Sequence, residues 1–384
     1  MLNRRTFMTG IGAAAIAGAT QAIEVDDDQI IHDVLRQRIE VEKRAVGMAV
    51  CVVMPDRERF VAHGCERLVE GCPVTSETVF EIGSITKVFT ALLLADMVRR
   101  GEVGFDDPVA RHLPGDFRLP ALGGRSITLA DLATHTSGLP RFPTFAGTPF
   151  SSAWLEGLAR FSMGDLKAWL ADLHLQRSAG AAWEYSNAGY ALLGMALAHR
   201  GGRPYDDLLQ TRVSGPLGLD GTTFHPPATM KARLAEGHDQ ALKPLPPLDL
   251  GIFIAAGGLR STPRDLSRFA GVILPGMGAS IAQDNRLLLT VQRAAPPIGG
   301  MQALGWEVLN APGGAFVSKD GVTLGQTAAM VLDPDGQRAI IAFSNTQPDL
   351  SNSTPSGGGV GAADVARHLL RPQIPLGGHG GAGY

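Results

Sequence analysis

The stretch Phe80-Glu81-Ile82-Gly83-Ser84-Ile85-Thr86-Lys87-Val88-Phe89-Thr90 sets the tightest condition on how this chain can fold. An apolar strand end passes through one glycine into an apolar helix start, so a strand and a helix meet at Ser84. Residues three apart on a helix share a face, which puts the Ser84 hydroxyl and the Lys87 amine within reach of each other. A serine hydroxyl is a weak nucleophile until a neighbouring group takes its proton. Burial and the positive end of the helix dipole both disfavour an ammonium ion, and so push the Lys87 amine toward a usable base. Alone, a Ser-x-x-Lys spacing reads as a helix cap with a solvated lysine. Two later stretches change that reading.

The rest of the chain says what surrounds the junction. Residues 1–22 read as an export signal: Arg4-Arg5, the apolar pair Phe7-Met8, and a weakly hydrophobic run from Ile11 to Ala19 that is too short to span a bilayer. The twin arginine resembles the signal read by the machinery that exports folded proteins. Residues 26–43 have helical periodicity, and 47–54 and 58–63 form a hairpin about Pro55-Asp56-Arg57. The Ser84 helix runs to a stop near Gly101. Residues 102–162 and 225–250 are proline-rich loops, and helices are expected over 164–173, 188–199, 204–213 and onward from Pro263, capped by Thr262. Strands return over 305–309, 315–319, 324–332 and 338–343 as an antiparallel meander with a turn at Asp333-Pro334-Asp335-Gly336, and a last helix over 360–370 covers it. Residues 373–384 are Gly-rich and read as a disordered tail. The fold class is α/β. An antiparallel sheet flanked by helices comes from 23–82 plus 300–372, and a mostly helical domain from 83–299.

Composition excludes several function classes. A chain of 384 residues, 45% hydrophobic and 18% charged, is ordinary globular material able to bury a core. Its formal net charge of −3 gives no electrostatic case for nucleic acid or a polybasic membrane contact. No Cys-x-x-Cys, zinc-spaced Cys/His cluster or His-Glu-x-x-His occurs, so no metal or other cofactor is called for. Cys51 sits in an apolar run and reads as a buried thiol. Cys65 and Cys72 flank a short polar loop, and spacing alone leaves their pairing open. His135 reads as a structural histidine bonding a turn, and Arg260 and Arg264 as solvated charges.

The second special stretch is Tyr185-Ser186-Asn187, just before a helix, where side chains can turn outward into a cleft. A phenol has an ordinary pKa near 10 and needs neighbouring cations to act as a base near neutrality. The third, Lys319-Asp320-Gly321, ends a strand of the meander. Ser-x-x-Lys, Tyr-x-Asn and Lys-x-Gly each occur once in the chain. Their order and wide spacing resemble the serine β-lactamase and penicillin-binding protein superfamily, on the class C side that also holds D-alanyl-D-alanine peptidases and related esterases. His135-Thr136-Ser137-Gly138-Leu139-Pro140 and Pro216-Leu217-Gly218-Leu219 add to the resemblance, which spans nearly the whole chain after the signal.

The resemblance implies a β-lactamase/transpeptidase-like fold with the active site in the cleft between the two domains. It implies Ser84 as the nucleophile of an acyl-enzyme, with Lys87 and Tyr185 sharing general-base work. Tyr185 would also protonate the leaving amine, and Asn187 would orient the substrate amide and Lys87. Lys319 would lower the Tyr185 pKa and attract a substrate carboxylate. Asp320, Gly321 and Val322 would line the substrate side, the N–H groups of Val322 and Ser84 forming the oxyanion hole. Asp320 is a departure, since the family often has threonine there. An ionised carboxylate donates no hydrogen bond and would repel a substrate carboxylate. The partners implied are small-molecule or peptidoglycan-peptide substrates and β-lactams, in the periplasm or another exported location, with no nucleic acid and no transmembrane segment once the signal is removed. The reading is an exported D-Ala-D-Ala peptidase with class C-like β-lactamase activity. A carboxylesterase on the same fold is the alternative, favoured by Asp320, and a non-catalytic binding relative is the third.

Overall fold

The structure is a computed structural model and describes residues 28–274, 280–333, 337–349 and 361–377. The expected export signal (1–22), most of the expected tail (378–384) and three residues of an expected turn (334–336) lie outside the described residues.

Helix α1 (Asp28–Arg36) leads into strand β1 (Gly47–Met54), which is buried along nearly its whole length, as an apolar run covered on both faces must be. A two-residue connection joins it to β2 (Arg57–Gly64), with Met54 opposite Arg57. Exposed Arg57 and Glu58 and half-buried Arg59 make β2 a charged sheet edge, which discourages pairing with another chain. Helix α2 (Thr86–Arg99) is buried on every side from Thr86 to Met97. A helix apolar all round must sit inside a core, and its few polar groups must find partners there. Thr90 does so by donating to the carbonyl of Ala255 at 2.7 Å. Helices α3 (Ser152–Arg160) and α4 (Asn187–Gly201) belong to the helical region beside it.

The sheet is completed by β3 (Arg293–Ala295), β4 (Gly300–Gln302), β5 (Glu307–Ala311), β6 (Gly314–Val322), β7 (Thr327–Asp333) and β8 (Arg338–Ser344). Its eight strands run in the order β2-β1-β8-β7-β6-β5-β4-β3, and each neighbouring pair is antiparallel. Helix α5 (Ala362–Leu370) covers one face together with α1. The other face packs on α2 and on the helix Pro263–Ile273. The α/β class and the antiparallel sheet are as expected, but the C-terminal set of sheet strands begins at Arg293, ahead of residue 300. Residues 373–377, expected to belong to the tail, are instead part of the described fold. Ile374 is buried in the core under α5, and the Gly377 N–H donates to Asp364 at 2.8 Å. The glycine content of this segment did not outweigh one well-placed isoleucine. Cys51, Cys65 and Cys72 are free thiols, and burial pushes Cys51 up to about 12.

The register of β6 fixes which side chains can reach Ser84. Lys319 lies opposite Met330 and Asp320 opposite Ala329. A strand's period of two sends these neighbours to opposite faces of the sheet. Met330 belongs to the core around α2, and Ala329 to the core under α1 and α5.

Candidate active site

Ser84 sits in a single 3-10 turn, Gly83–Ile85, that feeds α2. Two glycines let the end of β6 lie against that turn. Gly83 has φ +47, and a Cβ there would come within 2.7 Å of the Val322 nitrogen. A Cβ on Gly321 would meet the carbonyl oxygen of Ile82 at 1.9 Å. Neither position can carry a side chain without pushing strand and turn apart. The backbone nitrogens of Ser84 and Val322 therefore come to the same small region.

Lys87 lies in the first turn of α2 and Tyr185 stands just before α4. Ser186 caps α4, accepting from the Gly189 N–H at 2.8 Å, and donates to the carbonyl of Pro140 at 2.8 Å. His135 holds the same turn from below. Its Nδ1 accepts from the Ser186 N–H at 3.0 Å, its carbonyl accepts from the Glu184 N–H at 2.7 Å, and its ring lies 4.3 Å from that of Tyr185. Burial, then the cations around it, hold His135 well below the usual histidine range, so it stays neutral. It is a structural histidine, as its sequence context implied, although it supports the phenol.

The segments that carry the three motifs converge. Tyr185 Oη is 2.7 Å and Lys87 Nζ 3.0 Å from Ser84 Oγ. Lys87 Nζ also donates to Asn187 Oδ1 at 2.8 Å and to the Ala256 carbonyl at 2.5 Å. Lys319 Nζ stands 5.1 Å from the Tyr185 ring centre and is held at 2.9 Å by Glu307. Of the substrate-side residues, Gly321 makes the backbone approach and Val322 lines the cleft beside Ser84.

The charges explain the titration. Lys87 is wholly buried, and desolvation lowers it from its ordinary value to about 8, although Tyr185 pulls the other way. Burial would raise Tyr185, but Lys319, Lys87 and Arg141 together outweigh it and bring the phenol down to about 8. Burial also works against the Lys319 ammonium, yet Glu307 and the other acids near it hold its pKa above the usual lysine range. The site thus holds one fixed cation, and an amine and a phenol that both titrate close to neutrality.

Asp320 is not part of this group. Its side chain lies on the opposite sheet face, buried and ion-paired with Arg367 of α5. The expected repulsion of a substrate carboxylate does not arise, because strand alternation turns the carboxylate away from Ser84. Arg260 also departs from expectation: it is largely buried and paired with Glu81 at 3.2 Å, whereas Arg264 is exposed. Sequence reasoning missed Glu307 and Arg141. Glu307 is a lone carboxylate opening a largely apolar strand, a signal that such a residue has a buried partner. Arg141 directly follows the Gly-Leu-Pro turn, and its guanidinium lies 5.0 Å from the Tyr185 ring centre. Its carbonyl accepts from the N–H groups of Asn187 and Ala188 at 3.0 and 3.1 Å.

Beside Ser84 the cleft opens into a cavity with Asn187, Arg141 and Val322 at its polar end and Phe142, Phe150, Trp154, Leu158, Leu248 and Leu250 around the remainder. Among the described residues no cluster suited to a metal ion occurs, and no helix is long and apolar enough to cross a membrane.

Comparison with known proteins bears on the family and the fold. The family model described as Beta-lactamase matches residues 26–355. The chain is 29% identical over 267 residues to the D-alanyl-D-alanine-carboxypeptidase/endopeptidase AmpH of Escherichia coli (strain K12), covering 68% of this chain and 67% of that protein. It is 29% identical over 287 residues to a Beta-lactamase of the same organism, covering 74% and 71%. A solved Beta-lactamase/D-alanine carboxypeptidase from Yersinia pestis, complexed with citrate, superposes with a TM-score of 0.73 at 23% identity, over 91% of this chain and 99% of that one. At that identity the likeness speaks to the fold alone.

Proposed function

The chain belongs to the Beta-lactamase family of serine hydrolases, and on that premise we propose that it is an exported acyl hydrolase working through an acyl-enzyme on Ser84, with D-Ala-D-Ala peptides as substrates and β-lactams as acylating agents. The observation that carries the reading is the Ser84 hydroxyl standing at 2.7 Å from a phenol and 3.0 Å from an amine, both titrating at about 8. At neutral pH about a tenth of a group with that pKa is in its base form, enough to act as a general base.

In the proposed cycle Ser84 Oγ attacks the acyl carbonyl and its proton passes to the Lys87–Tyr185 pair. The oxyanion forms between the Ser84 and Val322 N–H groups, a contact worth about 3 kcal/mol per donor in comparable sites. Tyr185, recharged with a proton from Lys87, protonates the leaving nitrogen or oxygen as the carbonyl bond to it breaks. Water then attacks the Ser84 ester with the same pair as base, which releases the acid and restores the hydroxyl. Asn187 holds Lys87 and the substrate amide. Lys319 keeps the phenol acidic.

With Asp320 turned away, no carboxylate is among the described residues lining the cleft beside Ser84, and the one near Lys319, Glu307, is paired with it, which supports the peptidase reading. The apolar cavity supports a second one, hydrolysis of carboxylic esters by the same acyl-enzyme. Export rests on Arg4-Arg5 and the short apolar run after it.

Fluorescent penicillin should label the purified protein, with the adduct on Ser84 by mass spectrometry, and Ser84→Ala should remove it. Labelling that survives this substitution would show the nucleophile to be elsewhere. Turnover of a D-Ala-D-Ala peptide, nitrocefin and p-nitrophenyl butyrate separates the two readings. Dominant butyrate cleavage without a penicillin adduct would leave the esterase standing.

A further inference from the structure

We propose that His135 is the positioning residue of the phenol: its backbone carbonyl and its imidazole, protonated at Nε2, together hold the turn from which Tyr185 Oη meets Ser84. The proposal rests on the acyl-enzyme reading. His135 does not line the cleft beside Ser84, so it acts through Tyr185.

The backbone of His135 is left-handed, at φ +58. Glycine meets that conformation without strain, so a histidine there points to a side chain that is needed. The segment around it is fixed. Thr134, His135 and Thr136 are all buried. The Thr134 hydroxyl donates to the Ala130 carbonyl at 2.7 Å, and the Thr136 N–H donates to the Asp131 carbonyl at 2.9 Å. From this anchor His135 receives the two N–H groups that flank the phenol-bearing residue. Its carbonyl accepts from Glu184 at 2.7 Å and its Nδ1 accepts from Ser186 at 3.0 Å. An antiparallel neighbour would answer such N–H groups with the carbonyls of two residues. A left-handed turn offers only one, and the imidazole takes the second place.

The imidazole backs the phenol ring as well. The two planes lie 33° apart with centres 4.3 Å from each other, and the rings of Tyr190 and Trp183 close in on His135 at 5.1 and 6.2 Å. Both neighbours are anchored in turn. Tyr190 Oη donates to the Ala133 carbonyl at 2.7 Å, and Trp183 Nε1 donates to Gln302 at 3.1 Å. Accepting at Nδ1 forces the proton onto Nε2 and leaves the ring neutral, because an imidazolium has no acceptor. Burial, and then Lys319, Lys87 and Arg141, oppose a further cation at this place. Nε2 is buried and has no hydrogen-bond partner among the described residues. A left-handed histidine and an unanswered buried N–H are both unfavourable. Their occurrence in one residue directly behind the reacting phenol assigns the arrangement to the site.

The test uses the purified full-length protein and p-nitrophenyl acetate, following Ser84 acylation by the nitrophenolate burst. The burst amplitude counts competent sites, and its rate constant reports how well each site is arranged. His135→Gly suits the positive φ and removes the ring. It should lower the rate constant about a hundredfold and keep the amplitude, since the phenol loses its placement and not its chemistry. His135→Asn tolerates the same φ and offers Oδ1 to the Ser186 N–H in the place of Nδ1, so it should recover about tenfold of that loss. A glycine variant that loses amplitude at an unchanged rate constant would show a residue needed for folding alone, and overturns the assignment. So does an asparagine variant no faster than glycine. Where the variants fold poorly, nitrogen-15 NMR of the wild-type imidazole decides: Nε2 should carry the proton and Nδ1 none from pH 6 to 9. A proton on Nδ1, or titration of this ring in that range, overturns the proposal. No burst from the wild type, or a burst that persists in Ser84→Ala, overturns the acyl-enzyme reading instead.

Discussion

Lys319 and Asp320 are neighbours on one strand, both buried, each with one close ion partner. Lys319 is held by Glu307 at 2.9 Å, and Asp320 by Arg367. Their surroundings differ in charge balance. On the Asp320 face, ions are matched: Arg367 answers Asp320, and Arg38 answers Asp364 and Glu42. On the Lys319 side, Lys87, Lys319 and Arg141 surround one phenol, with Glu307 bound to only one of them. A matched buried pair holds α5 to the sheet: burial raises the Asp320 carboxyl above its usual range and Arg367 works against that rise. A surplus of cations around a neutral acid brings its proton loss into the working range.

The sharpest way to break this contrast is to remove the charge on each side in turn. Lys319→Met, made with Glu307→Gln so that no lone carboxylate stays buried, should lower acylation by on the order of 10³-fold, the scale of a lost general acid–base pair. Asp320→Asn should leave the acylation rate of the folded protein unchanged. It strands the Arg367 guanidinium, however, and should reduce unfolding free energy by about 3 kcal/mol, read as a lower urea midpoint. Asp320→Thr should behave likewise and should not raise β-lactam turnover. If it does raise turnover, the carboxylate faces the substrate after all.

The contrast also marks how much was legible in the sequence. Ser84 and Lys87 were legible from a spacing with a local physical meaning, whereas Tyr185, Asn187 and Lys319 were singled out by the resemblance that the three patterns carry together. The hairpin β1–β2 and the meander β5–β8 were legible from alternation and turn residues. The direction of Asp320 was legible in principle, since its face follows from that of Lys319, but its partner on α5 lies 47 residues away. Arg141 acts through space on Tyr185 and Glu307 on Lys319, and neither stands inside one of the three patterns. The apolar cavity joins Phe142 and Trp154 to Leu248, and only tertiary packing brings those loops together.

A smaller effect should appear in the pH profile. With Lys87 and Tyr185 both at about 8, the pair must lose one proton to become the base. The acylation rate constant kcat/KM should then rise about tenfold per pH unit below that value and level off above it. Removing Lys319 takes away the largest influence lowering Tyr185, so in the Lys319→Met, Glu307→Gln protein the rise should move to higher pH. Asp320→Asn should leave it where it is. A profile flat from pH 6 to 9 in the wild type would mean that neither group is the base.

Arg141 should give the smallest effect and the finest resolution. It comes after Lys319 and Lys87 among the cations that lower Tyr185, and unlike those two buried lysines it is exposed, where solvent weakens its pull. Arg141→Gln should therefore shift the rise upward by a fraction of a pH unit and slow acylation at pH 7 about twofold to fourfold, with the rate recovered at pH 9. Arg141→Lys should restore most of the shift if charge alone matters. If the glutamine variant is slow at every pH, Arg141 acts by placing Asn187 through its carbonyl and loop, and the surplus of cations that defines the Lys319 side rests on the two lysines.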